Sequence, residues 1–435
     1  MNIPSRRFLQ RFSVRGFAGP LFAFLMCSTL PTFAADPVPV TDPEKLFKEG
    51  LYQRETGNLF SAIEAFQTVL SSQPSLSRAR LELAVTYFRA LNYEEARKQA
   101  QAVLDDPKTP ENVRLSILVF IAQIEQERGI LQAKTHVWEP TVSIGMMYDS
   151  NVNAGPSSDL LPGGLVLTPG STKQGDLAVV LQAGLGHSYS FPSTFRFGES
   201  VGRMAWQSRV NYYHRGYSTE HAFGLDVFSL STGPAWFVTN KWRASIALQV
   251  DDIYLGSDHL AVYSSLNPNV VWQFQNAEVT WDAVYMDRGF KRTSDQGRDS
   301  RYLATGLSYG RVLANSGVAL QAGVRYFDER ADQDRFSNDG TEFFVGANVV
   351  AWENGAIYGR FSQSDAKYVG VEPVFNIARD ESENQMEVGF SHSFKDGALK
   401  DWKLIGSYLY TRNASNVATY SYNREMTSLN LSRSF

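Results

Sequence analysis

No uninterrupted apolar run in the 435-residue chain is long enough to cross a bilayer as a helix, which takes about 18 residues or more. Cysteine occurs once, at Cys27, which excludes a disulfide framework within the chain. Neither sign of charge dominates. The formal net charge is -4, from 41 basic and 45 acidic residues, which argues against a dedicated nucleic-acid binder. P-loop, dinucleotide and H-E-x-x-H patterns are missing. Hydrophobic residues at 43% and charged residues at 20% exclude a wholly disordered chain. A membrane β-barrel survives all of these absences, because alternating strands produce no long apolar run.

What is present begins with an address. Arg6, Arg7, Arg11 and Arg15 precede an apolar stretch from Phe17 to Leu30, followed by Pro31-Thr32-Phe33-Ala34-Ala35. Basic, apolar, then small residues is the order of a secretory signal, with cleavage expected after Ala34 or Ala35. Met26 stands where a lipoprotein signal needs a small residue before Cys27, so lipidation is the weaker reading. Cleavage removes four arginines and no acid, moving the net charge from -4 to -8 and leaving no cysteine.

Residues 36–132 read as a periplasmic helical domain. Thr41-Asp42-Pro43-Glu44 forms a capping box with proline in the first turn. Leu46, Gly50, Ala62, Phe66 and Pro74 fall at the signature positions of a 34-residue tetratricopeptide unit. One unit later stand Arg80, Ala84, Ala96, Ala100 and Lys108, a degenerate copy that keeps the small residues where two helices must touch. A fifth helix over 111–128 covers the open end. Two repeats fall below the roughly three needed for independent stability, so this domain is expected to lean on a neighbour.

From Trp138 onward the period changes from 3.6 to 2. Val279, Trp281, Ala283 and Tyr285 alternate with polar residues, as do Val318, Leu320, Ala322, Val324 and Tyr326. Fourteen such segments predict a barrel over 133–435. The fold class expected is therefore α+β and multi-domain, all-α repeats followed by a 14-stranded antiparallel transmembrane barrel. Connections such as 191–200, 275–276, 315 and 354 are short, whereas 152–175, 291–300, 329–339, 367–382 and 414–421 are long and polar. That asymmetry places the short turns in the periplasm. Polar inward positions include Gln182, Gln321, Arg325 and Glu387. The closing strand, Leu429, Leu431 and Phe435, is similar to the signal read by the barrel-assembly machinery of Gram-negative outer membranes; Arg433 departs from it. The outer membrane is thus the expected location.

Candidate chemistry is sparse, and no enzymatic activity is expected. Gly306-Leu307-Ser308-Tyr309-Gly310 matches G-x-S-x-G but lies in an alternating segment with no helix after it. The six histidines show no metal spacing and no carboxylate companions. Asp149, Asn151 and Asn153 start a calcium-loop pattern that Gly155, one place late, and Leu160 do not complete. Strand-end hydrogen bonding is the preferred account of them, and neither metal nor cofactor is expected.

The stretch Tyr148-Asp149-Ser150-Asn151-Val152-Asn153, opening a barrel after a short repeat region, resembles the surface lipoprotein assembly modulator family. The resemblance implies a translocon that delivers surface lipoproteins or related secreted proteins, and it brings no catalytic residues. It also implies a protein client, acting with a monomeric barrel. Residues 367–382, with Val369, Val371, Val374, Phe375 and Ile377, are expected to fold inward as a plug or to contact cargo. Rival readings are an exopolysaccharide or small-solute export pore with a periplasmic repeat adaptor, and a surface adhesin.

Overall fold

The computed structural model describes residues 42–435, apart from Lys108, Lys134, Ser157, residues 161–165, Asn240 and Asn315. The export signal, Cys27, the Ala34–Ala35 cleavage site and Thr41 of the capping box lie outside the described residues.

Five helices come first: α1 Pro43–Glu55, α2 Leu59–Ser72, α3 Ser77–Arg89, α4 Tyr93–Leu104 and α5 Glu111–Ala133. The hairpin α1–α2 recurs as α3–α4 with each helix start displaced by 34 residues. Ala62, Phe66, Ala84, Ala96 and Ala100 are fully buried. A Cβ on Gly50 would come within 2.8 Å of the Phe66 ring, so α1 and α2 meet through a residue without a side chain. Leu46 is half-buried, and Pro74 is exposed in the turn before α3. Ile63, Leu83, Tyr87 and Tyr93 complete the core, and Ile124 of α5 closes it.

The strands follow: β1 His136–Asp149, β2 Asp176–Phe197, β3 Ser200–Tyr217, β4 Leu225–Val238, β5 Trp242–Leu255, β6 Asp258–Gln273 and β7 Ala277–Phe290. The second half comprises β8 Ser300–Leu313, β9 Val318–Ala331, β10 Asn338–Trp352, β11 Gly355–Glu372, β12 Ile377–Ser393, β13 Trp402–Ser415 and β14 Tyr422–Ser434. All pair antiparallel in chain order, and β14 returns to β1, closing a 14-stranded barrel. The expected α+β architecture is the one observed. The seam runs from Thr141↔Ser434 to Asp149↔Met426.

Register sorts the faces. Val142, Ile144 and Met146 of β1 lie beside Arg433, Leu431 and Leu429 of β14 on the outside, each apolar member of the set exposed or half-exposed. The same outward row continues through Val179, Val210, Leu230, Leu248, Leu266 and Tyr285, exposed on the protein alone and suited to lipid. Arg433 sits at the lower end of this row, over the Phe435 ring at 4.6 Å and 3.7 Å from Asp401, where a cation meets the membrane border.

Two segments differ from expectation. Residues 367–382 are not a loop: β11 and β12 run to Glu372 and from Ile377, leaving a turn of residues 373–376. Val371 pairs with Ala378, so the segment extends the wall and does not plug the lumen. Residues 191–200 are mostly strand, since β2 and β3 continue past a register shift between Ser190 and Thr194 to a turn at Gly198–Glu199.

That longer hairpin carries the helical domain. The Asn58 side chain makes no cap to α2. Glu199 supplies it instead, accepting from the backbone N–H groups of Phe60 and Ser61, both at 3.0 Å, and from Ser61 Oγ at 3.0 Å. Arg196 reaches Glu64 at 2.7 Å and lies over the Phe60 ring at 4.6 Å. Val201 packs against the helical core. The barrel thus satisfies the orphan amides at the positive end of α2. Burial opposes the charge on Glu199, but the bonds from Ser61, Arg196 and Phe60 outweigh it and hold its pKa below the ordinary glutamate value.

A depressed folded-state pKa stabilises docking above the unfolded value, about 4.3, and that support is lost as pH falls through the lower folded value. Glu199→Ala should cost about 1 kcal/mol of docking. The expected readout is faster trypsin cleavage between α1 and α4 while the barrel keeps its heat-modifiable gel mobility. Equal cleavage rates in the two proteins would refute the cap.

Candidate functional site: the lumen and its inward loop

The lumen is built from the alternate residues that face away from lipid. Gln182, Gln321, Arg325 and Glu387 all take inward register positions, as their strand patterns imply. Inward arginines pair with inward carboxylates one or two strands away in the barrel. Arg325 meets Asp282 at 2.9 Å, Arg288 meets Glu329 at 2.9 Å, Arg243 meets Glu278 at 2.8 Å, and Arg360 meets Glu342 at 3.4 Å. Such pairs hold long side chains against the wall of a polar lumen. Charge is also distributed unevenly between walls. Arg203, Arg209 and Arg215 occupy inward positions of β3, whereas Glu381, Glu383 and Glu387 occupy those of β12.

The connection between β1 and β2 enters this space, and the first-strand residues fix it there. Asp149 is fully buried at the end of β1. Its carboxylate accepts from Arg424 Nε at 2.9 Å and Tyr217 Oη at 2.7 Å, and from the Asn151 amide at 3.0 Å; a second Arg424 nitrogen also donates to it. One side chain therefore ties β1 to β14 across the seam and to β3 on the other side. Asn151, also fully buried, donates to Gly155 O at 2.8 Å and Asn423 O at 3.1 Å, and accepts from Gly155 N at 2.9 Å. Asn153 donates to Thr172 O at 2.7 Å and accepts from Gln174 N at 3.2 Å, joining the two ends of the loop. Tyr148 points outward and is half-exposed. Asp149, Asn151 and Asn153 thus make hydrogen bonds at the strand end.

Held this way, Asn153, Gly155, Pro156 and Leu167 reach the opposite wall and bound a cavity of about 810 Å³ in the extracellular half. Residues of β8 to β13 form its other side, among them Tyr302, Glu342, Tyr368 and Glu383. A second cavity of about 370 Å³ lies lower, on the β1–β5 wall, with Glu139, Arg209, Ser231 and Ser245 in its lining. Above the first cavity, Arg379 lies between the rings of Tyr368 and Tyr420, at 3.7 and 4.0 Å, with Glu372 and Glu381 each 3.2 Å away. Tyr420 Oη donates to Glu372 at 3.0 Å, which ties the β13–β14 connection to β11.

The histidines require a correction. His214 meets Asp226 at 2.8 Å and His259 meets Asp252 at 2.6 Å, so two of them do have carboxylate companions. Each pair straddles a hairpin: His214 is the direct cross-strand partner of Asp226, and symmetry about residues 218–224 was the signal available. Both lie on the outer face near the extracellular rim, beside Tyr212 and Tyr254. Ser308 of the G-x-S-x-G segment lies within β8, with another strand following.

Asp149→Ala should strand Arg424 and Tyr217 in a buried site, costing about 3–5 kcal/mol, whereas Asp149→Asn should cost less. The measurement is the urea midpoint of barrel unfolding, followed by gel mobility. Coincident midpoints for Asp149→Ala and the unaltered protein would remove Asp149 from the seam.

The protein is an outer-membrane β-barrel with its helical domain on the periplasmic side. A family model described as "Protein of unknown function (DUF2860)" matches residues 237–432, from the end of β4 into β14. No curated protein matches. Among solved structures, in-vitro folded OmpT, an outer membrane protein of Vibrio cholerae, is 7% identical and has a TM-score of 0.41, covering 69% of this chain and 97% of its own. OccAB1 of Acinetobacter baumannii is 8% identical with a TM-score of 0.38, covering 69% and 96%. OccK3 of Pseudomonas aeruginosa is 12% identical with a TM-score of 0.34, covering 68% and 95%. Likeness at this level carries no functional argument, which rests instead on the lumen itself.

Proposed function

We propose that the protein is a channel that passes small hydrophilic solutes through the outer membrane, with its helical domain held at the periplasmic mouth. The observation that carries this reading is the β1–β2 connection pinned inside the lumen by Asp149, Asn151 and Asn153. A loop fastened there narrows a polar passage to the scale of a small molecule, leaving a chamber of about 810 Å³. Adhesion needs display of loops and gives no reason for a lumen lined with cross-strand ion pairs.

The translocon remains a second reading, supported by the helical domain fixed to the β2–β3 hairpin through Glu199. Under it the helix pairs are tetratricopeptide repeats that receive a lipoprotein or secreted client, and the barrel-assembly machinery inserts the protein through the strand ending in Phe435. The chamber favours small solutes over a folded client, since even a 100-residue domain has a radius of gyration of about 13 Å. A client would have to thread as an extended chain.

The test is conductance of the full chain in a planar bilayer. Pro156 and Lys173 are already adjacent, with Lys173 N donating to Pro156 O at 3.2 Å. Joining them through a short glycine link deletes residues 157–172, and with them Leu167 and Ser171 of the chamber lining. Ion conductance in the unaltered protein, and a larger conductance in the shortened one, is expected. Silence of both proteins would dispose of the channel. Loss of a lipoprotein from the cell surface on gene deletion, with the lipoprotein still made, would favour the translocon.

A further inference from the structure

The extracellular chamber has a chemistry more specific than polarity. Glu329, Glu342, Glu381 and Glu383 line it, against Arg298 as the only basic residue in its lining among the described residues. Three of the four carboxylates already have a guanidinium partner: Arg288 for Glu329, Arg360 for Glu342 and Arg379 for Glu381. Glu383 does not. It accepts from two neutral donors, Tyr422 Oη at 3.0 Å and Gln385 Nε2 at 2.8 Å. A carboxylate has about four acceptor positions, and these two donors take two of them.

The aromatic lining lies beside the same carboxylates and guanidinium groups. Tyr302, Tyr368 and Tyr420 each line the chamber. Each also carries one of the protein's own guanidinium groups on its ring: Arg288 at 4.3 Å on Tyr302, and Arg379 at 3.7 and 4.0 Å on Tyr368 and Tyr420. These rings stand beside carboxylates in an arrangement that already holds cations by their faces. Tyr422 and Phe327 add two further rings to the lining.

We propose that this chamber binds an organic cation bearing primary ammonium groups, with Glu383 as its counter-charge and the tyrosine rings around its alkyl and ammonium segments. The inference deepens the channel reading and rests on it for the site's purpose, since it gives the transported solute a charge. An anion would meet Glu383, the lining carboxylate that has no guanidinium partner among the described residues. A neutral sugar would have to cover Glu383 without neutralising it, which leaves a charge desolvated and unpaired. A flexible polyamine satisfies both requirements.

The experiment is calorimetric titration of spermidine into the purified full-length protein in detergent at low salt, with maltotriose and glutamate as comparison solutes. Spermidine is expected to bind, and to bind less tightly as salt is added. Glu383→Gln should weaken it about tenfold or more, the worth of a charge-assisted contact. Glu353→Gln, which removes an exposed carboxylate outside the chamber, should bind within about threefold of the unaltered protein. Heat-modifiable gel mobility establishes that each variant is folded. If Glu383→Gln fails to fold, the comparison of solutes on the unaltered protein decides alone. Preference for maltotriose or glutamate, or equal affinity of spermidine for a folded Glu383→Gln protein, overturns the proposal. Spermidine binding without conductance keeps this inference and removes the channel; conductance without spermidine binding does the reverse.

Discussion

Hydrocarbon offers no partner to a peptide N–H or C=O, and every other feature of this protein follows from that. A sheet placed in lipid has to close on itself, because each unpaired edge group costs several kcal/mol. Here closure depends on β14 meeting β1 over Thr141–Asp149. The seam joins strands from opposite ends of the domain, so no short turn holds them together. Asp149 and Arg424 make the side-chain bond across it at its extracellular end, and Ser150 and Glu425 add two backbone-linked bonds just above. The same carboxylate reaches Tyr217 on β3, so the closing contact is braced on both sides.

Closure also creates an inside, and the inside sets the site. Inward positions cannot be apolar without collapsing the lumen onto itself, nor can they carry lone charges at low cost. Cross-strand pairs resolve this by laying arginines along the wall against carboxylates, as Arg325 does with Asp282 and Arg288 with Glu329. The residues that brace the seam then aim the first loop into the space that remains. Seam and constriction are therefore one construction: Asn151 binds both Gly155 in the loop and Asn423 beside the seam.

The legible part of this structure was the part that feels lipid. Where one face meets hydrocarbon and the other a wet lumen, the sequence alternates, and Trp281 or Leu320 could be placed from period alone. Beyond the membrane both faces are wet, and the period fades. Lys367, Asp380 and Ser382 point outward while Tyr368, Arg379 and Glu381 point inward, so residues 367–382 look like a polar loop although most of them are strand. Register shifts between Lys367 and Val371, and between Ser190 and Thr194, break what alternation is left. Small residues at helix contacts were equally legible, because Gly50 and Ala62 answer to a local spacing. The cap from Glu199 was not. Its partners lie more than a hundred residues away, and Asn58, a good capping residue by type, stands where the cap was to be sought.

That distant cap is also what ties a two-hairpin domain to the barrel. Two helical pairs are fewer than the roughly three repeats that independent stability usually takes, and a free α2 would leave its first amides to water. By ending the β2–β3 hairpin in a carboxylate, the barrel contributes the missing acceptor, and Arg196 and Val201 add an ion pair and apolar contact. The hairpin can do this only because it is longer than its neighbours and carries its turn below the level at which β1 begins. Extending one hairpin thus brings a membrane wall into contact with the helical domain through hydrogen bonds, an ion pair and apolar packing. A domain mounted in this way keeps a defined relation to the periplasmic mouth, which any role in presenting or admitting a solute requires.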